Sequence, residues 1–151
     1  MIRELETVQG KSVELLLTSA EVTKGAPIAI DYSDETVAPA TAGLGTLLVD
    51  INPVYEGLTA IVEPTDADFE TVKEGTRVRV IQTLPGEMYA TSELTKGDLT
   101  EGDPLKVTSG KFVKAEATNG YAWVYRGEYS DPTGIAMYRI SRVEIGTVAG
   151  G

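Results

Sequence analysis

Thr23-Lys24-Gly25-Ala26-Pro27-Ile28-Ala29-Ile30, Lys73-Glu74-Gly75-Thr76-Arg77-Val78-Arg79-Val80 and Thr100-Glu101-Gly102-Asp103-Pro104-Leu105-Lys106-Val107 are three versions of one phrase. Each places a glycine in a polar turn and then apolar residues at every second position. Alternation of that kind is the period of a half-buried strand, and a glycine ahead of it marks a turn. Each phrase is followed by a further turn and a small or apolar pair: Val37-Ala38, Tyr89-Ala90 and Val113-Lys114-Ala115. The phrases therefore predict a scaffold of glycine-punctuated β-hairpins. The versions at Gly25 and Gly102 share Thr-[Lys/Glu]-Gly-x-Pro-[Ile/Leu]-x-[Ile/Val]. A degenerate duplication into two hairpin halves and independent hairpin formation both produce such a match.

Outward from these phrases the strand grammar continues. Val13, Leu15 and Leu17 alternate, Leu47 to Ile51 is apolar until Asn52-Pro53, and Val78 and Val80 share a face opposite Arg77, Arg79 and Ile81. Ser109-Gly110 joins Leu105–Val107 to Phe112-Val113 as the clearest hairpin of the chain. Tyr121, Trp123 and Tyr125 alternate on a further strand, and Ile135 to Ile145 reads as a long closing one. Turns recur about every 8–12 residues, the spacing of a barrel or sandwich. The exception is Pro64 to Glu70, where Thr65 is placed to cap a helix and acids crowd the first turn; one short helix is expected near 65–73. The expected fold is mainly β, a small barrel or sandwich. A single domain spans 10–146, with an N-terminal arm over 1–9 and a flexible tail over 147–151.

Composition narrows the chemistry. The chain has 151 residues, 42% hydrophobic, with neither histidine nor cysteine. That removes disulfides, thiolate nucleophiles, the usual near-neutral acid–base group and the commonest metal ligand. A formal charge of −10 repels phosphate backbones and disfavours nucleic acid as a partner. The apolar clusters Leu15-Leu16-Leu17 and Leu47-Leu48-Val49 are far shorter than a membrane span, and Met1 to Glu6 is no secretory signal. Asp66, Asp68 and Glu70 alternate like a calcium loop, but Thr71 and Arg77 occupy the positions that need glycine and glutamate. Asp31, Asp34 and Glu35 read as a solvated turn. Gly43-Leu44-Gly45 precedes a strand and lacks the strand-to-helix context of a phosphate loop. No serine elbow is present, and no carboxylate pair stands out from the 23 acids as a glycosidase pair. No cofactor, metal site or catalytic residue is expected.

Two binding features remain. Tyr121, Trp123 and Tyr125, with Arg126 beside them, form an aromatic stripe. Such rings stack on sugars, anchor protein interfaces, or fill a core. Arg126, Arg139 and Arg142 concentrate positive charge, either for an acidic partner or for pairing with the excess acids.

The run from Lys96 to Ala115 contains Gly102-Asp103-Pro104-Leu105 followed by Gly110, Val113 and Ala115. In this it resembles the hairpins of tailed-phage capsid decoration (cement) proteins, where Gly-Asp-x-Leu-x-x-x-x-Gly-x-x-Val-x-Ala recurs. Gly25 to Ala40 echoes the rhythm, and Gly134-Ile135-Ala136 is similar to the small-residue strands of lambda-type head decoration proteins. The middle, Asn52 to Glu74, does not map onto that family. The resemblance implies a structural virion protein, made in the host cytoplasm and bound to the outer surface of a phage head. There it would clamp neighbouring major capsid subunits as a homo-oligomer, commonly a trimer. It also implies a terminal arm that adds to a capsid strand, here Ile2, Arg3, Leu5 and Val8. The alternative function is a glycan- or small-ligand-binding β-module using the aromatic stripe.

Overall fold

The structure, a computed structural model, describes residues 2–6, 13–50, 71–116, 120–132 and 134–146. Across these it is mainly β and sandwich-like, and it is not a closed barrel. A seven-stranded sheet contains β1 (Ile2–Glu6), β6 (Ala42–Gly43), β10 (Met88–Thr91), β11 (Pro104–Thr108), β12 (Lys111–Lys114), β13 (Tyr121–Ser130) and β14 (Ala136–Gly146), in the order β1-β10-β14-β13-β11-β12 with β6 beside β11. A five-stranded sheet contains β2 (Val13–Thr18), β4 (Ile28–Asp31), β5 (Thr36–Pro39), β7 (Leu47–Asp50) and β9 (Arg77–Gln82), in the order β4-β5-β2-β9-β7. The short strands β3 (Val22–Thr23) and β8 (Thr71–Val72) pair with each other.

The glycine phrases turn out to be one device. In each, the glycine has a positive φ (87° at Gly25, 79° at Gly75, 98° at Gly102). Its N–H and the C=O of the next residue together clamp a single residue on another strand. Gly25 N–H donates to Val49 C=O (2.8 Å), and Val49 N–H donates to Ala26 C=O (3.2 Å). Gly75 and Thr76 hold Thr18 in the same way at 2.8 and 2.9 Å, and Gly102 and Asp103 hold Tyr125 at 2.8 and 2.9 Å. Two residues facing one, with a left-handed glycine first, is the G1 bulge, and glycine is required because a Cβ is disfavoured at that φ. Two of the turns are closed by Ala26 N–H to Thr23 C=O and Asp103 N–H to Thr100 C=O, both 3.0 Å. In the third, the Thr18 hydroxyl stands in for that bond: it donates to Lys73 C=O (2.8 Å) and accepts from Thr76 N–H (3.1 Å). A fourth copy, without the sequence phrase, lies at Pro85-Gly86 (φ 95°): Gly86 and Glu87 clamp Arg142 at 2.9 and 2.8 Å.

Two cores flank the five-stranded sheet. The larger lies between the main sheets and gathers Tyr89, Leu94, Leu105, Val107, Phe112, Trp123, Tyr125 and Ile140 with Leu48. The smaller gathers Val22, Val72, Ile28, Val37, Val49, Val78 and Val80 under the β3–β8 pair. Adjacent Leu48 and Val49 point into different cores, so β7 is buried on both faces; this explains its unbroken apolar run. The expected face of Val78 and Val80 is the second core.

The Ser109-Gly110 hairpin is as expected. Both turn residues have positive φ (49° and 76°) and Thr108 pairs with Lys111, the pattern of a type I′ turn. Asparagine tolerates the first position better than serine. Ser109→Asn should therefore raise the unfolding free energy by about 0.5 kcal/mol, read as a shift of the urea midpoint with unchanged slope.

Two expectations need correction. The end of the expected helix, Thr71-Val72, is strand β8, because it pairs with β3 in register Val22↔Val72; residues 65–70 lie outside the described residues. The expected N-terminal arm is, over Ile2–Glu6, an edge strand of the fold's own sheet, antiparallel to β10 with a bulge between Glu4 and Glu6. The expected tail, 147–151, lies outside the described residues.

Candidate docking surface

The aromatic stripe is interior. Trp123 is fully buried, held edge-on by Tyr89 and Phe112 (ring centroids 5.8 and 5.7 Å), and its Nε1–H donates to Gly45 C=O at 2.8 Å. Tyr125 is also buried, tilted against Tyr138 with Lys96 Nζ 5.4 Å above its ring, and burial pushes its phenol pKa up. Tyr121 is half-buried beyond a register shift in the β13–β14 ladder. The expected interface of Tyr121, Trp123, Tyr125 and Arg126 is thus corrected: Trp123 and Tyr125 serve packing, and neither ring is open to a sugar. Arg126 is exposed and points to the other face of the sheet, its Nε donating to Ser141 Oγ at 3.4 Å.

The arginines separate by strand parity. Arg142 shares the face of buried Ile140 and turns inward; Arg139, between Tyr138 and Ile140 along the strand, has the opposite parity and turns outward over the Tyr129 ring at 5.5 Å. Arg142 is buried, donating Nη1 to the carbonyls of Ala122 and Val143. Burial lowers its pKa, and Glu87 opposes that shift. Glu87 itself is 1% exposed, and its Oε2 accepts from the Tyr89 hydroxyl (2.7 Å) and from Leu84 N–H (3.2 Å). This polar group ties the fourth glycine turn into the main core.

A second cluster fastens the Gly102 turn. Asp103 Oδ2 accepts from Thr100 N–H (2.9 Å) and Thr100 Oγ1 (3.1 Å), and lies 3.0 Å from Lys114 Nζ. The Thr100 amide, with help from Lys114, holds the Asp103 carboxyl below its ordinary pKa. A depressed carboxyl stabilises the fold fully above its unfolded pKa of 3.8, and the contribution fades as pH falls through the lower folded value. Asp103→Asn should therefore be less stable than the parent at neutral pH, with the gap closing in strong acid. Urea titrations of both proteins from about pH 6 to about pH 2 check this.

Of the residues expected in the arm, Ile2 is buried and joins the main core, and Arg3 and Leu5 lie on β1. Val8 lies outside the described residues. β1 ends the seven-stranded sheet: one side is bonded to β10, and among the described residues no strand pairs with the other. Among the described residues no group of three or more His, Cys, Asp or Glu side chains is arranged to hold a metal ion. No family model, curated relative or solved structure matches the chain. The groove beside the β4–β5 turn, lined by Ser19, Ala29, Asp31, Tyr32 and Asp34, is shallow; Asp31 Oδ1 there is taken up by the N–H groups of Ser33 (2.9 Å) and Asp34 (3.3 Å).

Proposed function

We propose that the protein is a non-enzymatic structural component of a virion. It docks on the outer surface of a tailed-phage head and clamps neighbouring major capsid subunits, as a homo-oligomer. One observation carries the reading: β1 is an edge strand with an unpaired side among the described residues. Such an edge accepts a strand from another chain, main-chain bonds supplying affinity and side chains register. The resemblance of Lys96 to Ala115 to decoration-protein hairpins supports it, since that run forms the Gly102 turn and the β11–β12 hairpin beside the core. A chain lacking histidine and cysteine suits a permanent, chemically inert attachment. Ile2–Glu6 serves as a docking edge on the sheet instead of a free tether. Mixed with expanded heads that lack it, the protein should co-sediment and raise their disruption temperature. Protein left in the supernatant would sink the proposal.

A further inference from the structure

We propose that the outer face of the seven-stranded sheet is the docking face, and that its occupant is an acidic surface of a partner protein. This deepens the docking reading above and rests on it. The face is defined by parity: Leu105, Val107, Phe112, Trp123 and Ile140 point to the core, so their strand neighbours point away. Lys106, Arg126 and Arg139 stand on that outer side with Tyr129, Met88 and Val113 between and beside them. The outward positions of β10 to β14 hold cations, apolar residues and hydroxyls, and none holds Asp or Glu; Ala90, Ala122, Val124 and Met137 among them are buried, and the accessible ones include Lys106, Arg126, Tyr129 and Arg139.

That is the reverse of the chain as a whole, which carries 23 acids against 13 bases. Accessible cations on a face whose outward positions hold no Asp or Glu, in an otherwise acidic protein, draw that face towards negative charge. The apolar positions decide the kind of partner. Met88 and Val113 are half-exposed, and Tyr129 presents a ring already held by the Arg139 guanidinium at 5.5 Å. Arginine, tyrosine and methionine are enriched at protein interfaces. A phosphate backbone would use the cations alone, and the chain's net charge of −10 opposes it. β1 borders this face through its pairing with β10, so strand addition at the edge and charge pairing on the face engage one partner together.

The test compares Arg126→Glu/Arg139→Glu with Lys73→Glu/Arg77→Glu. Both double variants change net charge equally, and the second pair is exposed on the β8–β9 turn of the other layer. Arg126→Gln/Arg139→Gln repeats the first without like-charge repulsion should the reversal misfold. The probe is a labelled glutamate-rich peptide titrated into the full 15N-labelled chain. Amide shifts should cluster on β10, β11, β13 and β14. Affinity should fall at least about tenfold in the Arg126/Arg139 variants and less than about twofold in the control. It should also weaken as NaCl rises from about 0.05 M to about 0.5 M. Shifts elsewhere, no binding, or equal loss in both double variants overturns the proposal. So does tighter binding of a DNA duplex, or self-association lost in the Arg126/Arg139 variants, which would make the occupant a nucleic acid or a second copy. Heads that bind all variants equally leave the capsid reading standing and remove this face. Peptide binding on the face with no binding to heads does the opposite.

Discussion

Trp123→Ala should cost about 3–5 kcal/mol of unfolding free energy, the range for deleting a fully buried large aromatic side chain. The indole is the largest fully buried side chain in the described part of the chain. Its loss leaves a void flanked by Tyr89 and Phe112, whose rings now meet it edge-on at 5.8 and 5.7 Å, and removes the donor that satisfies Gly45 C=O. Those partners come from β10, β12 and the segment before β7, so collapse into the void would have to move several strands at once. Chemical unfolding should show a much lower midpoint with a similar slope. A loss under about 1 kcal/mol would mean that the ring sits at the surface, and the glycan reading would return.

Gly45→Ala should be the next most damaging substitution, at about 2–4 kcal/mol, combining overpacking with backbone strain. Gly45 has φ 70°, and a Cβ built there would lie 2.7 Å from both Phe112 Cε1 and Val107 Cγ2. Those atoms belong to packed core side chains with no free end to swing aside. The Gly45 carbonyl also receives the Trp123 indole N–H, so Gly45 lies in direct contact with the main core. Gly75→Ala should be milder, since nothing lies within 4 Å of its Cβ and only the positive φ is penalised. Thermal unfolding of the two variants side by side separates crowding from strain. Equal losses would contradict the assignment of Gly45 as a contact point.

The glycine phrases were legible because their information is local. A left-handed residue followed by alternation needs only neighbours in sequence, and Ser109-Gly110 is legible for the same reason. What each turn clamps was not legible, since Val49, Thr18 and Tyr125 lie far from their glycines along the chain. The fourth copy escaped because Pro85-Gly86 is followed by Glu87, an acid that reads as solvated. Its burial depends on the Tyr89 hydroxyl and the Leu84 amide closing over it. The N-terminal strand escaped because Ile2, Leu5 and Val8 are spaced by three, whereas the strand exists through pairing with β10 some ninety residues on. The aromatic stripe was placed on one face, but sequence carries no sign of whether a second layer covers that face. The seven-stranded sheet's inner side is covered by the second layer and takes Trp123, while Arg126 and Arg139, on its other side, are exposed.

The glycine phrase is thus architectural: it ties turns to distant strands, and the proposed docking rests on the β1 edge and the outward face instead. The most direct test of that claim is hydrogen exchange on the intact protein, free and bound to heads that lack it. The account predicts that binding slows exchange at Ile2–Glu6 and along the outward side of β10 to β14, while the amides of Gly25, Gly75, Gly86 and Gly102 are protected in both states. Protection gained instead around the glycine turns of the five-stranded sheet, with β1 unchanged, would contradict it.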